Sequence, residues 1–390
     1  MVGIAVITAA LVIILSAFNG MEKMIQHIYS EFDSDITITA AKGKTFVESE
    51  VDWSKLAKIE GVKSFSRAVE EIVVLRHEKK WVNAILIGVE NNFLEAIQIN
   101  KRTENNQFVH LVKGVGTLLD KKTGQTLGLI GGGLMQKLNL QIGNPNDPES
   151  VLIYAPKRNI KLRPGKAPFN TDRLFLAGAM NYNREVNEEI ILWSLDNARN
   201  LLRYENELTH ILVDVDEKSG WSNDDVKQKI SEILDPRFEI KTNYEKNELI
   251  YQTSKSERLV VVLILIFIFI LASFNLIASL TMLFLEKKDN MFTLKSMGFT
   301  NTQLFRVFLF EGMLISGTGM IVGLILGYAI CFAQLIFELI VIPGPNLAFP
   351  IAFSWSDFFL IFGSLACLSF VFSYFPVRVL IGSAKNLTVK

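Results

Sequence analysis

The residue types that could do chemistry are scarce in this 390-residue sequence, and they are not grouped. ATP hydrolysis needs a phosphate-cradling loop of the form G-x-x-x-x-G-K-[ST], and the sequence has none. The nearest glycine cluster, Gly128 with Gly131–Gly133, lacks the lysine and the hydroxyl, and its pattern indicates a turn leading into a helix over 134–140. The sequence has no H-E-x-x-H motif and no G-x-S-x-G motif, and its histidines, His27, His77, His110 and His210, are isolated. We therefore expect no catalytic residues, metal site or cofactor in this chain, and any energy must come from a partner.

The two cysteines, Cys331 and Cys367, both fall inside apolar runs, so the sequence offers no disulfide framework, zinc motif or thiol redox pair. The 40 lysines and arginines are balanced by 40 acidic residues, which argues against a nucleic-acid partner. The composition stands out instead for its apolar content of 49% and for the uneven distribution of that content.

Most apolar residues fall in four runs: Val2–Phe18, Leu259–Leu285, Val307–Ile342 and Phe358–Leu380. At about 1.5 Å per residue, the second run can cross a bilayer, and it contains no charged residue. The polar stretch between the first two runs has roughly 240 residues, enough for one or two folded domains. The pattern predicts an α-helical integral membrane protein with four transmembrane helices and a large mixed α/β domain between helices 1 and 2.

A charged island of 21 residues, Glu286–Arg306, lies between the second and third runs. The loop Pro343–Trp355 has no lysine or arginine, whereas the island carries Lys287, Lys288, Lys295 and Arg306. By the positive-inside rule the island and the C-terminal tail are cytoplasmic, and the large domain is outside.

The island also has the pattern of a short helix. Met291, Leu294, Met297 and Phe299 form its apolar side, and Gly298 is a natural stop. A short helix between two spans is typical of an element on which another protein pushes. An ordinary interfacial connector gives the same periodicity, so the residues alone leave both interpretations open.

The external domain alternates strand and helix patterns. An amphipathic helix over Met21–Phe32 predicts a stalk that continues the first span, and a composition break near Pro156–Arg173 predicts a division into two lobes. Strands are predicted over 35–40, 71–76, 81–89, 151–155, 190–193, 209–215 and 238–242, and helices over 52–59, 134–140, 196–204 and 224–234.

The segment Pro156–Arg173 is also a basic arm. Its prolines, Pro156, Pro164 and Pro168, argue against a helix and for an exposed loop. Such an arm suits docking to an acidic partner, since charges at the rim of an interface steer encounter. A solvated loop and a contact with anionic lipid headgroups are equally consistent with its basic residues Lys157, Arg158, Lys161, Arg163, Lys166 and Arg173.

The predicted spans contain small and polar residues. Gly319, Gly323 and Gly327 recur every four residues in the third run, which predicts close helix packing. We predict that Glu311, near Arg306, forms an interfacial ion pair. Hydrogen bonds between helices or contacts with a substrate would account for the polar residues of the second span, Ser273, Asn275 and Ser279.

The first apolar run begins without the lysines or arginines that hold a cytoplasmic end or begin a signal peptide. We expect the natural chain to begin earlier. A cleaved signal peptide is the alternative, although no A-x-A-like cleavage site precedes the polar domain.

Three segments resemble the permease subunits of the lipoprotein-releasing ABC transporter, the LolC/LolE family within the MacB/FtsX-type permeases. They are ILSAFNGMEK (14–23), ILWSLDNARNLLRY (191–204) and SFNLIASLTMLFLEKKDNMFTLKSMGFTNTQLFRVFLFEGM (273–313), and the last is the most specific. The resemblance implies a non-catalytic subunit of the bacterial inner membrane with four spans and a two-lobed periplasmic domain. It also implies a cytoplasmic ATPase dimer that binds ATP and magnesium, a second permease subunit in a homo- or heterodimer, a periplasmic carrier and lipoprotein substrates.

The resemblance further implies roles for particular residues. The coupling helix for the ATPase corresponds to Glu286, Lys287, Lys288, Leu294, Lys295, Met297 and Gly298. The lipoprotein cavity between the first and second spans corresponds to Ile14, Phe18, Met21, Val262, Ile266 and Phe269. The hook that captures the carrier corresponds to the basic arm, with Arg158, Lys161, Arg163 and Lys166.

The predicted organisation follows from the apolar runs together with the resemblance. Two rivals remain: a MacB-like efflux permease, and an FtsX-like signalling permease that activates a cell-wall hydrolase. The predicted segments are span 1 (1–20), the periplasmic domain with its stalks (21–257), span 2 (258–285), the coupling helix (286–303), span 3 (304–342), a periplasmic loop (343–356), span 4 (357–380) and a cytoplasmic tail (381–390).

Overall fold

The computed structural model describes residues 2–103, 107–120, 123–142, 149–158, 168–287, 290, 293–294, 296–342 and 347–386. The chain folds as two compact units. The core domain is Gln26–Glu248, and the membrane unit combines Met1–Ile25 with Leu249–Lys390. Helices in chain order are α1 (Val2–Ser30), α2 (Trp53–Leu56), α3 (Asn91–Ala96), α4 (Gly132–Leu138), α5 (Arg184–Glu189), α6 (Leu195–Leu202), α7 (Asn223–Ile233), α8 (Asn243–Lys246), α9 (Glu248–Glu286), α10 (Asn301–Phe337) and α11 (Trp355–Asn386).

The described residues of the core domain build a ten-stranded sheet in the order β12-β1-β11-β3-β4-β9-β6-β8-β5, and β7 pairs with both β3 and β8. Neighbours are antiparallel except for the parallel pairs β4–β9 and β6–β8. The strands are β1 (Ile36–Ala40), β2 (Phe46–Val47), β3 (Val62–His77), β4 (Lys80–Val89), β5 (Leu111–Gly114), β6 (Leu127–Gly131), β7 (Ser150–Pro156), β8 (Phe169–Met180), β9 (Ile190–Ser194), β10 (Glu207–Leu208), β11 (His210–Val215) and β12 (Phe238–Thr242). Outside this sheet, β2 pairs with β10, and β13 (Val341–Ile342) pairs with β14 (Leu347–Ala348).

The sheet is packed on both faces. In β6, Ile130 joins a cluster with the helices α2, α4, α6 and α7, whereas its neighbour Leu129 joins a second cluster with α3 and α5. In β9, Ile191 and Leu192 divide between the same two clusters. Because both faces are covered, these strands read as continuous apolar runs rather than as alternating ones.

The predicted hairpin is confirmed, and it is longer than the pattern indicated. β3 and β4 pair in register from Ala68 opposite Val89 to His77 opposite Lys80. Every other strand and helix predicted for this domain is present, with its ends shifted by a few residues. The missed strands include β8, whose sequence FNTDRLFLAGAM begins with polar and exposed residues and lacks alternation.

The expected division into two lobes at Pro156–Arg173 is wrong. Residues Ser150–Pro156 pair with Phe169–Phe175 as the two arms of a hairpin, and both arms belong to the same sheet. The prolines and basic residues therefore fall at the connection between two paired strands of one sheet, and they do not mark a domain boundary.

The turn expected at the glycine cluster is wrong as well. Gly128 and Gly131 lie within β6, and α4 begins directly at Gly132. A Cβ atom on Gly128 would lie 2.8 Å from the Leu174 side chain, and one on Gly131 would lie 2.4 Å from the Asn187 carbonyl oxygen. These glycines therefore allow close packing around a buried strand, and the cluster is not a phosphate loop.

Among the described residues of the membrane unit, three helices are long and apolar enough to cross a membrane: α1, α10 and Trp355–Val379 of α11. The predicted second span lies in α9, a helix of 39 residues in which several side chains lie outside the described set. A fourth span therefore stays a prediction.

Helices α1 and α10 approach each other at two glycines. A Cβ on Gly323 would lie 2.4 Å from the Ala5 carbonyl oxygen, and one on Gly327 would lie 2.8 Å from Cβ of Val12. Gly319 is also buried on α10. Small residues permit this backbone contact because a larger side chain would push the two helices apart.

Candidate functional site

The end of the charged island is fixed by local geometry. Gly298 has φ of 97°, and the amide of Phe299 donates to the Leu294 carbonyl oxygen at 3.0 Å. This is the left-handed glycine stop predicted for the short helix. Thr300 then caps α10, where its side chain accepts from the Gln303 amide and the Gln303 side chain accepts from the Thr300 amide. The segment is thus joined tightly to the start of α10.

Within this segment the apolar residues face different ways. Leu294 is half-buried and packs against the membrane-unit core that contains Leu304 and Phe308 of α10. Met297 is 75% exposed. The exposed side chains Glu286 and Lys287 lie before the segment, while Lys288, Met291 and Lys295 lie outside the described residues. The sequence pattern could not show that Leu294 packs against the membrane unit while Met297 is exposed.

The predicted ion pair between Arg306 and Glu311 is not formed. The two residues are five apart on α10, and a helix of 3.6 residues per turn places such positions on different faces. Arg306 is exposed, and Glu311 is half-buried.

The residues assigned to a lipoprotein cavity lie on α1 and α9. Ile14 and Val262 are half-buried and pack against the same apolar cluster of the membrane unit. Phe18 and Ile266 are half-buried, and Met21 is 36% exposed. Phe269 lies outside the described side chains, as do Ser273, Asn275 and Ser279. The described cavity residues are apolar and accessible in part, as an acyl-chain contact requires.

The basic arm is described only at its two ends. Lys157 donates its amide to the Pro168 carbonyl oxygen at 2.9 Å, which extends the β7–β8 hairpin by one step. Lys161, Arg163 and Lys166 lie in 159–167, outside the described residues. The arm therefore begins at the open end of a hairpin, at the position where a connection can project from the sheet.

Arg158 is held by the domain itself. Its Nη1 atom lies 2.8 Å from Oε2 of Glu207, and its guanidinium lies 4.2 Å from the ring centroid of Tyr204. The Tyr204 hydroxyl donates to Glu71 at 2.9 Å. Burial, followed by the nearby Glu71 carboxylate, raises the pKa of Tyr204, so it remains a protonated donor. Arg158 thus differs from a free docking charge, a distinction that the basic composition of the arm could not reveal.

A charge network in the core domain also escaped the sequence reasoning. Glu48 accepts from Arg67 and, at 2.8 Å, from Arg199, while Arg67 also pairs with Glu90 at 2.5 Å. Burial by itself raises the pKa of Glu48, but hydrogen bonds from Arg199 and Arg67 outweigh that effect and leave the pKa lowered. The four residues come from separate elements, and no local motif marks them.

The described histidines occupy separate places. His77 Nδ1 lies 3.0 Å from the Leu138 carbonyl oxygen, and His210 Nδ1 lies 2.8 Å from Oγ1 of Thr209. The His110 ring stacks on that of Tyr182, with the ring centroids 4.4 Å apart. Each of these contacts lies within the core domain and serves local packing.

Comparisons with known families agree with this architecture. Residues 262–384 match the family described as FtsX-like permease C-terminal, and residues 1–146 match the MacB-like periplasmic core domain. Over these two regions the chain is therefore similar to permeases of the MacB/FtsX type, which fits its core domain and its apolar helices.

The resemblance to the lipoprotein-releasing permeases is confirmed by individual relatives. The chain is 25% identical over 340 residues to the lipoprotein-releasing system transmembrane protein LolC of Buchnera aphidicola subsp. Schizaphis graminum, covering 85% of this chain and 77% of that protein. It is 22% identical over 332 residues to LolC of Xylella fastidiosa (strain Temecula1), covering 83% and 74%. The periplasmic region of MacB from Actinobacillus actinomycetemcomitans superposes with a TM-score of 0.37 at 13% identity, covering 60% of this chain and 98% of that structure.

Proposed function

We propose that this chain is a non-catalytic, four-span subunit of an ABC transporter that extracts lipoproteins from the outer leaflet of the bacterial inner membrane. It passes them to a soluble periplasmic carrier. The observation that carries the proposal is the similarity to LolC proteins over more than four-fifths of the chain, which includes both the core domain and the membrane helices. A separate ATPase dimer supplies the energy, and a second permease subunit completes the transporter.

Force enters the chain through the segment that ends at Gly298. Leu294 packs against the apolar cluster that includes Leu304 and Phe308 of α10, so a push on the exposed Met297 is transmitted to the bundle. Helix α10 in turn contacts α1 through Gly323 and Gly327. A movement at the cytoplasmic end would therefore displace α1 and α10 together as one body.

The lipoprotein's acyl chains occupy the apolar surface between α1 and α9, which includes Ile14, Phe18 and Val262. Removing a chain from apolar surroundings costs about 0.8 kcal/mol for each CH₂ group. An acyl chain of ordinary length therefore needs both an energy source and an apolar receiver. The ATPase provides the first and the carrier provides the second.

The basic arm receives the carrier. Its connection starts from a hairpin end, and its composition is basic, so it fits an acidic surface through steering by charge. Arg158 holds the base of the arm through Glu207 and Tyr204, which leaves Lys161, Arg163 and Lys166 to meet the carrier.

Photo-crosslinking from the arm tests this function. A photoreactive residue at Ile160 or Leu162 in native membranes, followed by mass spectrometry of the adduct, should recover a small soluble periplasmic carrier. The match to a MacB-like core domain favours an efflux permease as the second candidate. An outer-membrane tunnel protein would support that candidate, and a cell-wall hydrolase would indicate a signalling permease.

A further inference from the structure

Three polar side chains from three helices meet at the first turn of α11. Asp357 is only 8% exposed, and its Oδ1 atom lies 2.5 Å from Nη2 of Arg258 on α9. Its Oδ2 atom accepts a hydrogen bond of 2.5 Å from Nδ2 of Asn19 on α1. The first turn of a helix favours a carboxylate through the helix dipole. The Asp357 carboxylate therefore joins α1, α9 and α11. The contacts lie at the helix ends that the positive-inside rule places on the external side of the membrane.

The chain between α10 and α11 is fastened at the same level. The Ala352 amide donates to the Ser16 carbonyl oxygen at 3.0 Å. Gly20 faces this segment so closely that a Cβ would lie 2.2 Å from the Pro350 carbonyl oxygen. At the other end, the Gln334 side chain donates to the Ile340 carbonyl oxygen and accepts from the Ile340 amide, both at 2.8 Å. Backbone contacts thus tie α1, α10 and the start of α11 into one body.

Helix α9 is attached in a different way. Val261 and Val262 pack against the apolar cluster of the bundle, and Arg258 precedes them by about one turn. Along the rest of the outer half, large apolar side chains at helical spacing are exposed, namely Leu259, Leu263, Phe267, Leu271 and Phe274. One polar tie of its outer end to α11 is therefore the guanidinium–carboxylate contact of Arg258 with Asp357, and α9 has no glycine for the backbone packing that joins α1 to α10.

We propose that the Arg258–Asp357 pair is a releasable latch, which holds the outer end of α9 against the body formed by α1, α10 and α11. At the membrane surface, an ion pair can exchange its partner for water when the helix end moves outward, whereas a backbone contact at glycine has no such substitute. Opening of the latch moves the outer end of α9 away from the apolar cluster against which both Ile14 of α1 and Val262 of α9 pack. Its use for admitting an acyl chain rests on the proposed function, whereas the latch itself does not.

Distance measurements between spin labels test the latch in the full chain, reconstituted in lipid nanodiscs. The native Cys331 and Cys367 are first replaced by serine, and labels are attached at Val260 on α9 and Phe359 on α11, which are both exposed. The chain with the intact pair should give one narrow distance distribution. Arg258→Gln and Asp357→Asn should each add a population at longer distance.

Glu257→Gln removes an exposed neighbouring charge and should change nothing. Asp357→Asn keeps the size of the side chain but only one acceptor oxygen, so this variant removes the charge without opening a cavity at the site. Unchanged distributions in both single variants, or an equal effect of Glu257→Gln, would overturn the latch.

These distances are recorded without an ATPase, a carrier or a lipoprotein. A latch that opens in the variants would therefore stand even if the chain released no lipoprotein. Conversely, the function would stand if release were normal and the distances did not change.

Discussion

The core domain and the membrane unit cover their apolar side chains and pair their charges in different ways. In the core domain, strands such as β6 are buried on both faces, and Glu48 links two arginines within a partly buried network. In the membrane unit, α9, α10 and α11 leave many large apolar side chains exposed, and the helices meet at glycines. The core domain is therefore complete within this chain, whereas the surfaces of the membrane unit need lipid or another chain to cover them.

This difference bears on how the molecule moves. Close packing and paired charges resist displacement, so the core domain is suited to act as a rigid body. Helices with exposed apolar surface can slide or part in lipid without loss of burial, because lipid replaces the lost neighbour. The parts that transmit force are thus expected in the membrane unit, where α1 and α10 are bound together and α9 is held more loosely.

The largest effect should follow from breaking the contact between α1 and α10. Gly323→Leu places side-chain atoms where the Ala5 carbonyl oxygen already lies within 2.4 Å of a Cβ, so the helices must separate. Overpacking typically costs about 1–3 kcal/mol, and the contact with backbone here places Gly323→Leu at the upper end of that range. Gly317→Leu is the matched control, since nothing lies within 4 Å of a Cβ at that position. Thermal unfolding of the purified permease should show a large loss for the first variant only, and equal melting would contradict the packing described.

A smaller effect is expected from the charge network of the core domain. Glu48→Ala leaves Arg199, whose side chain is only 12% exposed, without its carboxylate. Partial exposure reduces the cost to about 2 kcal/mol, which lowers the melting temperature of a domain of this size by about 6 °C. Unfolding followed by the fluorescence of Trp53 and Trp193 would measure the shift. The nearby exposed Glu50→Ala should change melting little, and an equal loss there would weaken the account.

The same network makes the core domain sensitive to acid. A glutamate in an unfolded chain has a pKa of about 4.3, and the folded pKa of Glu48 is lower. The stabilisation is therefore complete above the unfolded pKa and is lost as pH falls through the folded value. Glu48→Gln should flatten the acid limb of a plot of melting temperature against pH. A variant that follows the original curve down to pH 3 would exclude Glu48 as a contributor.

Variants of Leu294 and Met297, the apolar residues of the segment that ends at Gly298, should separate stability from the proposed transmission of force. Met297→Asp changes an exposed side chain, so the melting temperature should remain the same. The rate of ATP-driven release should fall by about tenfold, which corresponds to a loss of about 1.4 kcal/mol of contact energy. Leu294→Asp should instead lower the melting temperature, because that side chain packs against the bundle. Parallel assays of melting and release on the reconstituted transporter would decide. Normal release by the Met297 variant would remove the coupling assignment.

The smallest effects are expected in the basic arm and at its base. Replacing Lys161, Arg163 and Lys166 by glutamate should lower the rate of carrier association, since these charges steer encounter. The association rate should also depend less on salt concentration. Arg158→Glu should instead cost up to about 1 kcal/mol of domain stability, because Arg158 pairs with Glu207 at the surface. Association rates measured at two salt concentrations would compare the variants. Equal rates for the triple variant and the original chain would leave the arm as a solvated loop.

Much of the fold could be predicted because it depends on local pattern. The hairpin of β3 and β4, the stop at Gly298 and the apolar runs of α1, α10 and α11 all follow from periodicity, turn residues and length. The glycines of β6 were assigned to a turn because their purpose lies in distant neighbours, Leu174 and Asn187, which local sequence does not reveal.

The candidate sites were less predictable for the same reason. Asp357 contacts Asn19 from 338 positions away, and Glu48 contacts Arg199 from 151 positions away. The choice between Leu294 and Met297 as the exposed residue depends on where α10 starts, not on their shared apolar character. Charge composition located the basic arm, but only the fold shows that Arg158 is already paired.

The most direct test of the central claim is the location of lipoproteins when this chain is depleted from cells. Membrane fractionation followed by quantitative mass spectrometry would report how acylated lipoproteins divide between the inner and outer membranes. The account predicts that they accumulate in the inner membrane and that restoring the chain, together with its ATPase, releases them. An unchanged distribution of lipoproteins after complete depletion would contradict the proposed function.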